Sequence, residues 1–231
     1  MSVMSTIKHY PLGETAIVLC FGDVISPDIN SFISAFASHL DDLKEHRIIE
    51  YVPAFTTITI YYDPTVASYT SMVKLLFNLV ENLNIQTKQG VLEKKIPVYY
   101  NGPDLEYVSE YTGLNKQDII RLHSQPTYLV YMIGFVPGFP YLGGMNQLLA
   151  APRKEIPRMK VEAGSVGIAG EQTGIYPMET PGGWQIIGKT PIVLFDINRE
   201  EPSYLQAGDL IRFVPVEQEE FISIYETENG N

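Results

Sequence analysis

The chain has 231 residues, 45% of them hydrophobic and 19% charged, a balance that supports one large buried core or two modest ones and argues against disorder outside the termini. Twenty-seven acidic residues against 16 basic ones give a net charge of -11, which disfavours general binding to nucleic acid or to an anionic membrane. A single cysteine, Cys20, excludes an internal disulfide and, with four histidines, argues against a structural zinc site.

In chain order, TAIVLCF at 15 to 21 reads as a buried strand, with Cys20 in an apolar role. A helix follows Pro27, with Ile29, Phe32, Ile33, Phe36, Leu40 and Leu43 on one face. IIEYV and TITIYYD read as strands joined by a tight turn at Pro53 and Ala54. A second amphipathic helix carries Tyr69, Met72, Val73, Leu76, Phe77, Val80 and Leu83. The order β-α-β-β-α suggests a two-layer α/β sandwich with both helices on one sheet face.

The polar segment Lys88 to Glu93 is the expected boundary, dividing the chain into residues 1–87 and 88–231. Beyond it come a strand, KKIPVYY, and two short helices, DLEYVSEYTGL and NKQDIIRLHSQ, the second with Asn115 as its N-cap. After Pro126 short β-rich pieces alternate with Gly/Pro turns to about Val216, the pattern of a barrel or sandwich. The acidic tail from Glu217 is expected to fray at its end. The longest apolar runs, such as YLVYMIGF, are too short to span a bilayer, and MSVMSTIKHYPLGE lacks a secretory pattern, so the expected location is cytoplasmic.

Chemistry concentrates between Tyr131 and Asp196. GWQIIGKT at 183 to 190 satisfies the Walker A letters, yet Pro191 and the strand-like IVLFD follow where a P-loop needs a helix, which favours a β-hairpin. AGSVG at 163 to 167 resembles a nucleophile elbow without its helix, so Ser165 reads as a backbone-stabilising hydroxyl or a ligand hydrogen-bond donor. His123 reads either as a general acid or base or as a histidine capping the last carbonyls of its helix. Arg153, Lys154, Arg158 and Lys160, spaced by Pro152 and Pro157, read as a stiff cationic loop for a carboxylate or phosphate, or as a docking surface. Phe135, Phe139, Tyr141 and Trp184, rimmed by Gly134, Gly138, Gly182 and Gly183, suggest an apolar pocket wall. Asp196 and Asp209 read as turn residues.

Three blocks, GFVPGFPYLGG at 134 to 144, AGSVGIAGEQTGIYP at 163 to 177 and PGGWQIIGKTP at 181 to 191, resemble the signature of the 5-oxoprolinase PxpB/KipI family, related to a carboxyltransferase-type domain of urea amidolyase. The resemblance implies an α+β chain with an N-terminal α/β domain and a cyclophilin-like β-barrel. It departs from the family pattern at Glu162, usually proline, and at Lys189, often arginine. It implies the B component of an ATP-dependent enzyme that opens the lactam of 5-oxo-L-proline, working with the A and C subunits of 5-oxoprolinase and inactive alone, with Mg and ATP bound at the level of the complex. Under that resemblance His123 and Arg158 are candidate catalytic residues. Phe135, Gly138, Phe139, Tyr141, Arg153, Ser165, Gln172, Gly182, Gly183, Trp184 and Lys189 are candidate substrate contacts. The family also implies an alternative role, inhibition of a sporulation sensor histidine kinase by binding alone. Prolyl isomerase chemistry lacks a cyclophilin active-site signature.

Overall fold

The computed structural model describes residues 7–83 and 93–229, which fall into two compact units. The expected boundary at 87/88 lies outside the described residues. The first unit runs β1 (Lys8–Leu12), β2 (Ala16–Cys20), α1 (Pro27–Leu43), β3 (Ile48–Pro53), β4 (Thr57–Tyr62) and α2 (Tyr69–Glu81). Its antiparallel sheet has the order β1-β2-β4-β3.

Local chemistry sets both helices. Ser26 caps α1 by accepting from the Ile29 amide at 3.2 Å, and Pro27 supplies a preset φ at the first helical position. Ser68 caps α2 in the same way through the Ser71 amide. The stripes Phe32, Ile33, Phe36, Leu40 and Met72, Leu76, Val80 share one core with Ile17, Leu19, Ile58 and Ile60, which alternate along β2 and β4 and so face one way. Strand β1 was not expected, because every residue of KHYPL is exposed and Pro11 sits on the sheet edge, leaving no apolar alternation to read. Cys20 is half-buried, and its thiol donates to the Gly22 carbonyl at 3.4 Å.

The second unit begins with β5 (Glu93–Val98), α3 (Leu105–Thr112) and α4 (Lys116–Ser124). It continues through β6 (Tyr128–Ile133), β7 (Pro140–Gly143), β8 (Arg158–Val161), β9 (Ser165–Ala169), β10 (Gln172–Ile175), β11 (Thr180–Gly182), β12 (Gln185–Lys189), β13 (Leu210–Pro215) and α5 (Gln218–Asn229). Seven strands form one sheet in the order β12-β9-β10-β7-β6-β13-β5, antiparallel except for the β13/β5 pair. Its two edges meet just beyond β5, where Tyr99 and Lys189 exchange both backbone hydrogen bonds at 2.9 Å, so the sheet is a nearly closed barrel. Strands β8 and β11 form a separate two-stranded ribbon.

The chain continues from this seam along β12: the Gly102 amide donates to Ile187 and the Asp104 amide to Ile186. Only glycine fits at 102, since a Cβ there would lie 2.3 Å from the Ile186 carbonyl oxygen. Asn115 caps α4 as expected, accepting from the Asp118 amide at 2.8 Å. The acidic tail is helical over Gln218–Asn229, with Phe221 against Tyr99 at a ring separation of 6.1 Å. One sequence reading needs correction. GWQIIGKT is not a hairpin with its neighbour: β12 pairs with β9 inside the barrel, while β11 pairs with β8.

Each unit has its own core, so the fragments 1–90 and 91–231 are each expected to unfold cooperatively when made separately. Chemical denaturation followed by near-UV circular dichroism checks this, and a fragment 91–231 without a transition would contradict it.

Candidate functional site

Two cavities open in the second unit, on either side of the segment where β8 and β12 begin. The first, an aromatic cleft of about 290 Å³, is lined by Phe135, Phe139, Tyr141, Tyr176 and Trp184 together with Arg153, Lys154, Pro157 and the backbone at Pro181, Gly182 and Gly183. Phe139 is its hub: the rings of Phe135, Tyr141, Tyr176 and Trp184 all meet it edge-on at 5.0–5.5 Å. The Arg153 guanidinium stands 6.0 Å from the Trp184 ring and has no ion pair among the described residues. Phe135 is 61% exposed and sits at φ 67, a strained conformation for a residue with a side chain, in the turn between β6 and β7. The arrangement suits a small flat ring bearing a negative charge.

The second cavity, about 320 Å³, is lined by Asn101, Gly102, Pro103, Ile186 and Gly188 on one side and by Arg158, Lys160, Val161, Glu162, Ser165 and Lys189 on the other. Three expected site residues, Arg158, Ser165 and Lys189, therefore meet here, apart from the aromatic group. Their cations are already engaged. Lys189 Nζ lies 2.6 Å from Glu162 Oε2, which holds the Glu162 carboxyl below its usual range, and Lys160 pairs with Glu179.

Between the cavities sits Asp104, whose side chain is 5% exposed. It is the functional residue that the sequence reading missed. Arg158 Nη2 donates to both of its oxygens at 2.6 Å, Lys154 Nζ to Oδ1 at 3.0 Å and the Ile186 amide to Oδ2 at 2.7 Å. Burial alone would raise its pKa, but the Arg158, Ile186 and Lys154 hydrogen bonds outweigh that and hold it below the usual carboxylate range. Lys154 lines the aromatic cleft and Arg158 the polar cavity, so one buried carboxylate positions a cation of each. Its only sequence signal was a lone Asp opening the helix DLEYVSEYTGL, which reads as a cap; yet its side chain makes no cap hydrogen bond to α3.

The remaining expected residues lie elsewhere. Gln172, on β10, and Gly138, in a turn at φ 80, line neither cavity. His123 is fully buried in the barrel core, stacked on Phe213 at 4.4 Å, and also lines neither. Thr173 Oγ1 donates to the Gly167 carbonyl, so it accepts from His123 Nε2–H at 2.8 Å, and Nδ1 is left to accept the Tyr100 hydroxyl at 2.7 Å. Burial pushes the His123 pKa down to about 3, so the ring is held neutral. Neither reading of the sequence anticipated this: the side chain serves the core, and neither solvent nor the last carbonyls of α4. The Walker letters and the nucleophile elbow are both strands, without the helix either motif needs.

The chain is α+β with a nearly closed barrel, and its residues 7–205 match the family described as carboxyltransferase domain, subdomain C and D. The fold superposes on urea amidolyase of Kluyveromyces lactis with a TM-score of 0.77 at 18% identity, over 96% of this chain and 15% of that one. The chain is 39% identical over 232 residues to the 5-oxoprolinase B subunit of Bacillus subtilis, covering 94% of this chain and 96% of that protein. It is 42% identical over 207 residues to the 5-oxoprolinase B subunit of Haemophilus influenzae, covering 88% and 95%. The chain belongs to the family of 5-oxoprolinase B subunits.

Two expectations follow from these geometries. The native state keeps His123 neutral while the unfolded chain protonates it below its ordinary pKa of 6.5, so stability falls as pH drops from 6.5 toward 3. The expected loss is about 1.4 kcal/mol per pH unit, flattened in His123→Gln, as measured by urea melts between pH 6.5 and 4.5. Arg158→Ala, which strips a nearly buried carboxylate of its main partner, should cost about 2–3 kcal/mol. Lys189→Ala breaks a solvent-exposed pair and should cost less than about 1 kcal/mol in the same melts.

Proposed function

We propose that the chain acts as the B component of an ATP-dependent 5-oxoprolinase, opening the lactam of 5-oxo-L-proline to L-glutamate together with the A and C subunits. The observation that carries this reading is end-to-end similarity to proteins named as 5-oxoprolinase B subunits. The cleft geometry supports a seat for the lactam: the five-membered ring lies against Phe139, Tyr176 and Trp184, and Arg153 takes its carboxylate. Gly182 and Gly183 bring backbone close to the ring, and Phe135, on its strained and exposed turn, covers it.

This chain's own residues bind and orient. Arg158, committed to Asp104, is a positioning residue for the wall between the cavities, and His123 is one for the Tyr100 to Asp104 segment through the Tyr100 hydroxyl. The residues present do not fit a nucleotide cradle, because GWQIIGKT is a bulged barrel strand with no helix N-terminus behind it. Among the described residues no cluster of three His, Cys, Asp or Glu side chains is placed to hold a metal. In this reading Mg and ATP are bound at the level of the assembled complex. No helix among the described residues is long and apolar enough to cross a membrane.

The test is ATP-dependent 5-oxoproline hydrolysis, measured with this chain alone and after reconstitution with the A and C subunits. The chain alone should be inactive and the complex active. Trp184→Ala in the complex should raise KM at least about tenfold, since it removes one face of the ring site. Turnover by a preparation free of the other subunits, or an unchanged KM in Trp184→Ala, would contradict the proposal.

A further inference from the structure

The seat proposed for the lactam ring leaves the polar cavity without a role, yet it is built as a site. We propose that it binds a small oxyanion, held by the Ser165 hydroxyl and the Lys189 ammonium, and that the Glu162 carboxylate is a resident anion which the ligand displaces.

Three observations carry this. Ser165 and Lys189 are direct partners in the β9/β12 register, so their side chains leave the sheet on the same face, with Cβ atoms about 5 Å apart. Both line the cavity. Ser165 is 6% exposed, and although its backbone accepts from the Tyr176 amide, no side-chain hydrogen bond among the described residues engages its hydroxyl. The sealed polar side-chain atoms without a partner among the described residues are Gln185 Oε1 and Ser203 Oγ, so the Ser165 hydroxyl is not sealed and faces the cavity. A hydroxyl in such a place is a donor awaiting an acceptor.

The third observation is Glu162 itself. Its carboxylate already rests on Lys189, and Lys160 adds a further attraction from the same wall. Lys189 thus already holds one carboxylate oxygen, and Glu162 shows the chemistry that fills its site. The Glu162 side chain is 66% exposed and, among the described residues, makes no side-chain hydrogen bond beyond that to Lys189, so an incoming anion displaces a weakly held, solvent-screened pair. Arg158 takes no part, because Asp104 already holds it. The cavity wall carries no aromatic ring to favour an apolar ligand. A phosphoryl group and a carboxylate share this chemistry. The inference stands whether or not the aromatic cleft takes the lactam.

The experiment is titration of the full chain with inorganic phosphate and, separately, with acetate, followed by the amide signals of Ser165 and Lys189 in a nitrogen-labelled sample. Glu162→Gln should bind the preferred anion about fivefold more tightly than the native chain. Ser165→Ala should weaken it about fivefold, and Lys189→Gln should abolish it. Preference for phosphate identifies a phosphoryl site and preference for acetate a carboxylate site, and either supports an oxyanion. Arg153→Gln, in the aromatic cleft, should leave the affinity unchanged. The proposal is overturned if neither anion moves these signals in Glu162→Gln, if Glu162→Gln binds no more tightly than the native chain, or if Arg153→Gln alone removes binding.

Discussion

A carboxylate buried at the point where three distant stretches of chain converge carries a desolvation cost that only dense hydrogen bonding offsets. Asp104 meets that condition with Arg158, Lys154 and the Ile186 amide, contributed from positions 54, 50 and 82 residues away along the chain. Removing any one partner leaves the rest of the charge unsatisfied. The ribbon that carries Arg158, the loop that carries Lys154 and the barrel strand that carries Ile186 are therefore held in one geometry by a single side chain. The shapes of both cavities depend on it, because each takes part of its wall from those stretches.

The barrel seam explains why this carboxylate sits where it does. Closing a seven-stranded sheet leaves two edges whose backbone groups need partners, and Tyr99 and Lys189 supply the last pair. Beyond it the chain must run along β12, close enough that Gly102 cannot carry a side chain, and this delivers Asp104 to the Ile186 amide. Lys189 is thus placed by its backbone, as the last residue of a closing strand. The Walker letters around it arise from barrel requirements: Gly188 lies against Val98 and the Tyr99 carbonyl, where a Cβ would come within 2.9 Å.

What was legible in the sequence was whatever repeats with a period. The stripes of α1 and α2, the alternation in β4 and the Asn115 cap each follow from local spacing, and each is found. The aromatic cleft was legible for a related reason, since Phe135, Phe139, Tyr141 and Trp184 beside glycines signal rings packed on close backbone. Three features were not. β1 is exposed on every residue and gives no pattern. α5 is acidic with a weak apolar face, so its helix looked like a tail. Asp104 acts through partners set by tertiary closure, which no local window contains. His123 shows the reverse: its residue type left a catalytic reading open beside a capping one, while its surroundings, Phe213, Tyr128, Tyr100 and Thr173, place it in the core with both ring nitrogens satisfied.

The two cavities differ in kind because their cations do. In the aromatic cleft Arg153 stands free of any acidic side chain among the described residues, beside a Trp184 face that stiffens it without neutralising it, so its charge remains available to a ligand. In the polar cavity every cation has an internal carboxylate, but the carboxylates are unequal. Asp104 is buried and held by several donors, and it does not leave; Glu162 is exposed and held by one, and it exchanges readily with solvent or ligand. A chain with this arrangement has one permanent charge pair that builds the wall and one labile pair that guards it. The boundary between architecture and site runs between Arg158 and Lys189, two cations that line the same cavity.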